Sequence, residues 1–147
     1  MVRKTFRVSL ACLIVCLLTS CAAAAPAQPT LTFHTGGCTY QGPAQLPQSF
    51  KLKWVVEPTA HPGAIVLVVT LAPGKTVRDL AVMPAEDPPP EWVNKLVYDV
   101  ALQPGAYARP VNLEEIAAYP GGPIYFACFF TDLSNAIGAA GPIGINK

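Results

Sequence analysis

Cysteine, histidine and carboxylate are the side chains with chemistry in reach, and few of them occur at useful spacings in this 147-residue chain. Of five cysteines, Cys12 and Cys16 are spaced like a C-x-x-x-C metal pair, yet they stand inside an apolar run and read as small apolar residues. Cys21, Cys38 and Cys128 remain, with His34 and His61 the only imidazoles and Met83 the only thioether after the first residue. Adjacent acids occur as Glu86-Asp87 and Glu114-Glu115, but neighbouring carboxylates make an acid/base pair only inside a shared pocket. No G-x-S-x-G elbow, H-E-x-x-H helix or phosphate-cradling glycine loop is present, so the chain reads as no enzyme and as needing no cofactor. A Cys128–His61 nucleophile is conceivable, and a disulfide is the better use of that sulfur.

The first residues decide where this chemistry happens. Arg3, Lys4 and Arg7 precede an apolar run from Val8 to Leu18, 11 residues long. As a helix it extends about 16 Å, too short for a hydrocarbon core of about 30 Å but right for a signal-peptide core. The run ends in Leu18-Thr19-Ser20-Cys21, which resembles the lipobox of bacterial lipoproteins: a large aliphatic, two small residues and a cysteine. The resemblance implies a diacylglyceryl (with palmitate-type acyl chains) on the Cys21 thiol, cleavage before it, and a cell-membrane, extracytoplasmic location through that lipid anchor. One acyl chain binds a bilayer marginally whereas two hold stably, at about 0.8 kcal/mol per buried methylene. The alternative is an ordinary signal cut within Ala22-Ala23-Ala24-Ala25-Pro26-Ala27. Residues 1–20 therefore read as signal peptide, 21–29 as a lipidated tether of Ala, Pro and Gln, and 30–147 as one folded domain.

Residues 1–20 hold three of the ten Lys/Arg and none of the nine Asp/Glu, so the remainder is slightly acidic. No basic patch is left for nucleic acid. Charged residues are 13% of the chain against a usual quarter, with 16 prolines, a composition of short strands and many turns. Outside the cytoplasm disulfides persist. A Cys38–Cys128 bridge would close a loop of about 90 residues, worth roughly 4–5 kcal/mol on the chain-entropy account. Two buried thiols or a metal pair are the alternatives.

Strand patterns start at Leu31-Thr32-Phe33-His34, turn at Gly36-Gly37 and continue through Cys38-Thr39-Tyr40. Ser49 to Glu57 alternates, with Phe50, Leu52, Trp54 and Val56 on one face and lysines on the other. Ala64 to Leu71 is apolar on both faces, as in a strand covered twice. Thr76 caps one or two helical turns to about Val82, with Asp79 in the first turn. Met83 to Trp92, with Pro88-Pro89-Pro90, reads as an extended surface loop; its alternative use is as a proline-rich ligand. Lys95 to Leu102 alternates, placing Leu96, Tyr98, Val100 and Leu102 in register. Ala106 to Leu113 is a weaker strand, Glu114 to Ala118 a helical turn, Ile124 to Phe130 a central strand, and Pro142 to Ile145 a terminal one. These segments predict a mainly β chain: a single antiparallel sandwich of about seven strands with Greek-key connections.

The closing pattern, Tyr119-Pro120-Gly121-Gly122-Pro123-Ile124-Tyr125-Phe126-Ala127-Cys128 followed by Gly141-Pro142-Ile143-Gly144-Ile145, resembles the cupredoxin (plastocyanin-like) outline. The resemblance implies a cupredoxin-like or immunoglobulin-like sandwich. A blue-copper centre needs a thiolate, two imidazoles and a weak axial ligand, and no His or Met follows Cys128. The expectation is thus the scaffold without its metal: a non-catalytic module that binds an unknown protein or small ligand. The competing expectation is a divergent copper-binding or electron-transfer protein using His34, His61 and Cys128.

Overall fold

Nine strands form two facing sheets in the computed structural model, which describes residues 27–59, 63–86, 88–132 and 136–147. In chain order they are β1 (Thr30–His34), β2 (Gly37–Gln41), β3 (Gln45–Pro47), β4 (Ser49–Val56), β5 (Ala64–Leu71), β6 (Val93–Ala101), β7 (Gly105–Asn112), β8 (Ile124–Phe130) and β9 (Ala136–Asn146). Among the described residues there are also a helix, α1 (Val77–Ala81), and a 3-10 turn (Leu113–Glu115). The four-stranded sheet has the order β2-β1-β4-β7 and the five-stranded sheet β3-β9-β8-β5-β6. The chain changes sheet at five of its eight strand-to-strand connections, giving the expected β-sandwich of cupredoxin-like or immunoglobulin-like type. Within the mostly antiparallel pairing, β1 with β4 and β3 with β9 are parallel.

The inner core follows from the alternation in β4. Phe50, Leu52, Trp54 and Val56 are buried, and Trp54 packs between Phe33 and Tyr107 at ring separations of 5.7 and 5.2 Å. Each such side chain contributes about 1.5–3 kcal/mol by leaving water. From the other sheet come Ala64, Val66, Val68, Phe126 and Ile143. Pro29 is buried, and its carbonyl accepts from Lys53 N–H at 2.9 Å, so the fold takes hold one residue before β1.

A second core explains why β5 is apolar on both faces. Ile65, Leu67 and Val69 point away from the inner core and are covered by Leu80 of α1, by Met83 and by Val93. The start of α1 is a capping box. Thr76 Oγ1 accepts from Arg78 N–H at 3.2 Å, while the Asp79 carboxylate accepts from Thr76 N–H at 2.9 Å and from Thr76 Oγ1–H at 2.8 Å. Those bonds to the charged form hold the Asp79 carboxyl below the usual carboxylate range.

The strand at β6 departs from simple alternation. Val68 faces Val97 but Val69 faces Lys95, so Leu96 is an extra residue opposite β5. The bulge turns Leu96 and Val97 together against the inner core and leaves Tyr98 and Leu102 on the outside, 48% and 73% exposed. The predicted apolar row Leu96, Tyr98, Val100, Leu102 is therefore split between the two faces. Two further segments went unpredicted. β3 is only three residues and ends in proline, and β9 begins at Ala136, well before Pro142, through a run of Ala and Gly.

Candidate functional site

The crossover from β5 to β6 is where the fold builds a concave surface. Residues 72–86 leave β5, form α1 and, with residues 88–92, run back across the outer face of the five-stranded sheet. Both ends of this strap are pinned. Leu80 and Met83 are buried at one end. At the other, Ala72 N–H donates to Trp92 O at 2.9 Å, Val93 N–H donates to Pro90 O at 2.8 Å, and Lys75 Nζ lies 4.9 Å above the Trp92 ring. Pro84, Pro88, Pro89 and Pro90 lock φ between these points, so the strap is stiff without regular structure.

Beneath the strap is a pocket of about 270 Å³. Its floor is Ile65, Leu67 and Phe129; Met83, Ala85 and Pro89 form the strap side. The ionisable side chains lining it are Glu86 and Lys95, of opposite sign, with Tyr98 on the rim and Lys95 Nζ 5.6 Å from the Tyr98 ring centre. An apolar floor with a few polar groups at the mouth is how small-ligand sites are built. Nothing in the lining is a poised nucleophile or an acid/base pair. The chemistry offered is shape, dispersion contact and a rim that can hydrogen-bond.

The residues singled out in the sequence are not gathered there. Cys38 and Cys128 form a disulfide with Cα atoms 6.4 Å apart, joining β2 of one sheet to β8 of the other. Cys128 sits in the middle of β8, opposite Val66 and Gly138, and is fully buried. Its sulfur is thereby engaged in a covalent bond and is not offered as a thiolate. His34 closes the β1–β2 hairpin: its Nδ1 accepts from Gly36 N–H at 3.3 Å, which puts the ring proton on Nε2, 3.1 Å from Thr39 Oγ1. Glu114 and Glu115 are exposed on the 3-10 turn, away from the pocket under the strap. Among the described residues no group of three His, Cys, Asp or Glu converges as a metal site would require. Cys21, His61 and Asp87, with the expected signal peptide and most of the expected tether, lie outside the described residues.

A second concavity, about 450 Å³, opens beside the disulfide between β2 and β9. Tyr40 stands in its wall, ring 5.5 Å from Phe126 and hydroxyl donating to Pro43 O at 2.9 Å; burial raises the pKa of that hydroxyl.

Neither concavity carries a sequence motif. The signal that would have found the first is the doubly apolar strand Ala64 to Leu71, which requires a cover on its outer face, followed directly by a proline-stiffened segment able to provide one. Among the described residues no helix is long and apolar enough to cross a membrane. The chain matches no family model, and no curated protein or solved structure matches it.

Proposed function

We propose that this chain is a non-catalytic binding module, held at the extracytoplasmic face of a membrane by acyl groups on Cys21, with the pocket under the strap as its ligand site. The observation that carries the binding half is that pocket: an apolar floor on a rigid sheet, roofed by a strap fixed at both ends. A preformed site of this kind binds without a large ordering cost. The anchoring half rests on Leu18-Thr19-Ser20-Cys21 at the end of a short apolar run behind three basic residues. A disulfide between Cys38 and Cys128 accords with an oxidising compartment.

The two halves are tested separately. Mass spectrometry of protein taken from native membranes should find an N-terminal Cys21 carrying a diacylglyceryl group, and Cys21→Ser should release the domain into the soluble fraction. An unmodified N-terminus beyond residue 21 would overturn the anchor. For the pocket, benzyl alcohol titrated into the protein should shift the NMR signals of Leu67, Tyr98 and Phe129. Ala85→Trp, which places an indole in the pocket from a half-buried position, should weaken that binding at least about tenfold, the equivalent of about 1.4 kcal/mol. Unchanged affinity in a folded Ala85→Trp protein would remove the pocket from the proposal.

A further inference from the structure

The bulge in β6 decides which side chains stand over the pocket under the strap. If the register set by Val68 and Val97 continued, Val69 would face Leu96 and Lys95 would face Thr70, which is buried. The extra residue instead brings Lys95 opposite Val69, on the same outer face as Tyr98, which stands opposite Leu67. In a regular strand, residues three apart point to opposite faces. Here they are neighbours: Lys95 Nζ is 5.6 Å from the Tyr98 ring centre, and both side chains line the pocket. Bulges recur beside functional sites because they re-aim a side chain in this way.

The two sides of the mouth therefore differ in charge. On the β6 side, the Lys95 ammonium and the Tyr98 hydroxyl are both donors, a pair suited to a carboxylate. On the strap side, Glu86 offers only acceptors. Its backbone is set by its own N–H, which donates to Pro84 O at 3.0 Å. Between them the floor of Ile65, Leu67 and Phe129 is wholly apolar. A ligand with one charge is drawn to one side of this mouth and repelled by the other, whereas a ligand with both charges satisfies both sides. Size narrows the choice further. The pocket, at about 270 Å³, lies just below the roughly 300–1,000 Å³ of sites for drug-sized ligands, so its occupant is small.

We propose that the pocket takes up a free α-amino acid with an apolar side chain. Its carboxylate lies toward Lys95 and Tyr98, its ammonium toward Glu86, and its side chain on the apolar floor. An ammonium has three donors, so Lys95 can hold a carboxylate while keeping the contacts it already makes. This inference rests on the pocket being the ligand site and adds the class of ligand.

The test uses the whole chain carrying Cys21→Ser and three probes with the same phenylethyl body, titrated by calorimetry at about pH 7. Phenylalanine carries both charges, 3-phenylpropanoate lacks the ammonium and phenethylamine lacks the carboxylate. Phenylalanine should bind at least about tenfold more tightly than either analogue, as charge-assisted hydrogen bonds allow. Lys95→Gln should weaken phenylalanine and 3-phenylpropanoate but not phenethylamine; Glu86→Gln should weaken phenylalanine and phenethylamine but not 3-phenylpropanoate. Both side chains are exposed, so neither variant disturbs the core. Phenylalanine binding no tighter than its analogues, or either substitution affecting all three probes equally, would overturn the proposal. Benzyl alcohol, which carries no charge, separates the two levels of the argument. If it still shifts Leu67, Tyr98 and Phe129 while phenylalanine shows no preference, the pocket stands and the amino-acid class falls; if it shifts nothing, both fall.

Discussion

Two single residues show how differently local chemistry and tertiary contact constrain this chain. Asp79 is held by its neighbours: the Thr76 hydroxyl first, the Thr76 backbone N–H next, then Lys75 at 3.9 Å. Each favours the carboxylate, so the folded-state pKa lies below the unfolded value of about 3.9. Between those two values the unfolded chain binds more protons, so this contribution is complete at neutral pH and disappears as pH falls through the folded pKa. Melting curves from about pH 6 to about pH 2 should therefore fall less steeply at the acid end for Asp79→Asn than for the wild type, and superimposable slopes would contradict the cap. Gly63 is constrained from far away in sequence. A Cβ there would collide with the Ala101 carbonyl where β6 ends, so Gly63→Ala should lower stability by about 1–3 kcal/mol in chemical denaturation. The capping box was legible because its partners are three residues apart. Gly63 carries no such local mark, because the strand that crowds it lies almost 40 residues downstream (Ala101).

At the level of elements, legibility followed the strength of the local period. β4 and β5 were plain, one alternating and the other apolar throughout, and the structure buries them accordingly. β6 looked equally regular, but one bulged residue put Leu96 on the inner face and left Tyr98 and Leu102 outside. A period of two carries no mark of an inserted residue, so the pattern alone could not locate it. The two parallel pairings were invisible for another reason: partner choice between strands far apart in sequence leaves no local trace. The same edge element carries the Asp99–Arg109 pair, which joins the sheets where both run out, at 27% and 42% side-chain exposure. Solvent reaches it, so a double-mutant cycle on Asp99→Ala and Arg109→Ala should give a coupling of about 0–1 kcal/mol. A larger coupling would mean that the pair closes the sandwich edge and does not merely decorate it.

For the molecule as a whole, the decisive link is the disulfide between sheets that share no backbone hydrogen bonds in the strand pairings described. It was expected from the chemistry of two cysteines in a chain whose first residues read as an export signal; the pocket was not, because a concavity belongs to the packing of a strap on a sheet and has no residue signature. Cys38 and Cys128 are 90 residues apart, so the bridge confines the unfolded chain over most of the domain. Its loss should cost about 2–5 kcal/mol, against a usual net stability of roughly 5–15 kcal/mol. Two contributions can be separated. Cys38→Ala with Cys128→Ala removes the cross-link and also empties volume around the buried Cys128, whereas reduction of the wild type removes the cross-link and keeps both sulfurs. If the bridge acts by limiting the unfolded ensemble, both treatments should lower the denaturation midpoint and raise the dependence on denaturant, because the freed chain exposes more surface. The double variant should fall further by its packing loss alone. A reduced protein with an unchanged midpoint would show that the sheets hold each other through Trp54, Phe33 and Phe126 without the staple. Copper supplies an independent check on the same sulfur: with Cys128 bonded to Cys38, added Cu(II) should produce no thiolate-to-copper absorption band until the disulfide is reduced.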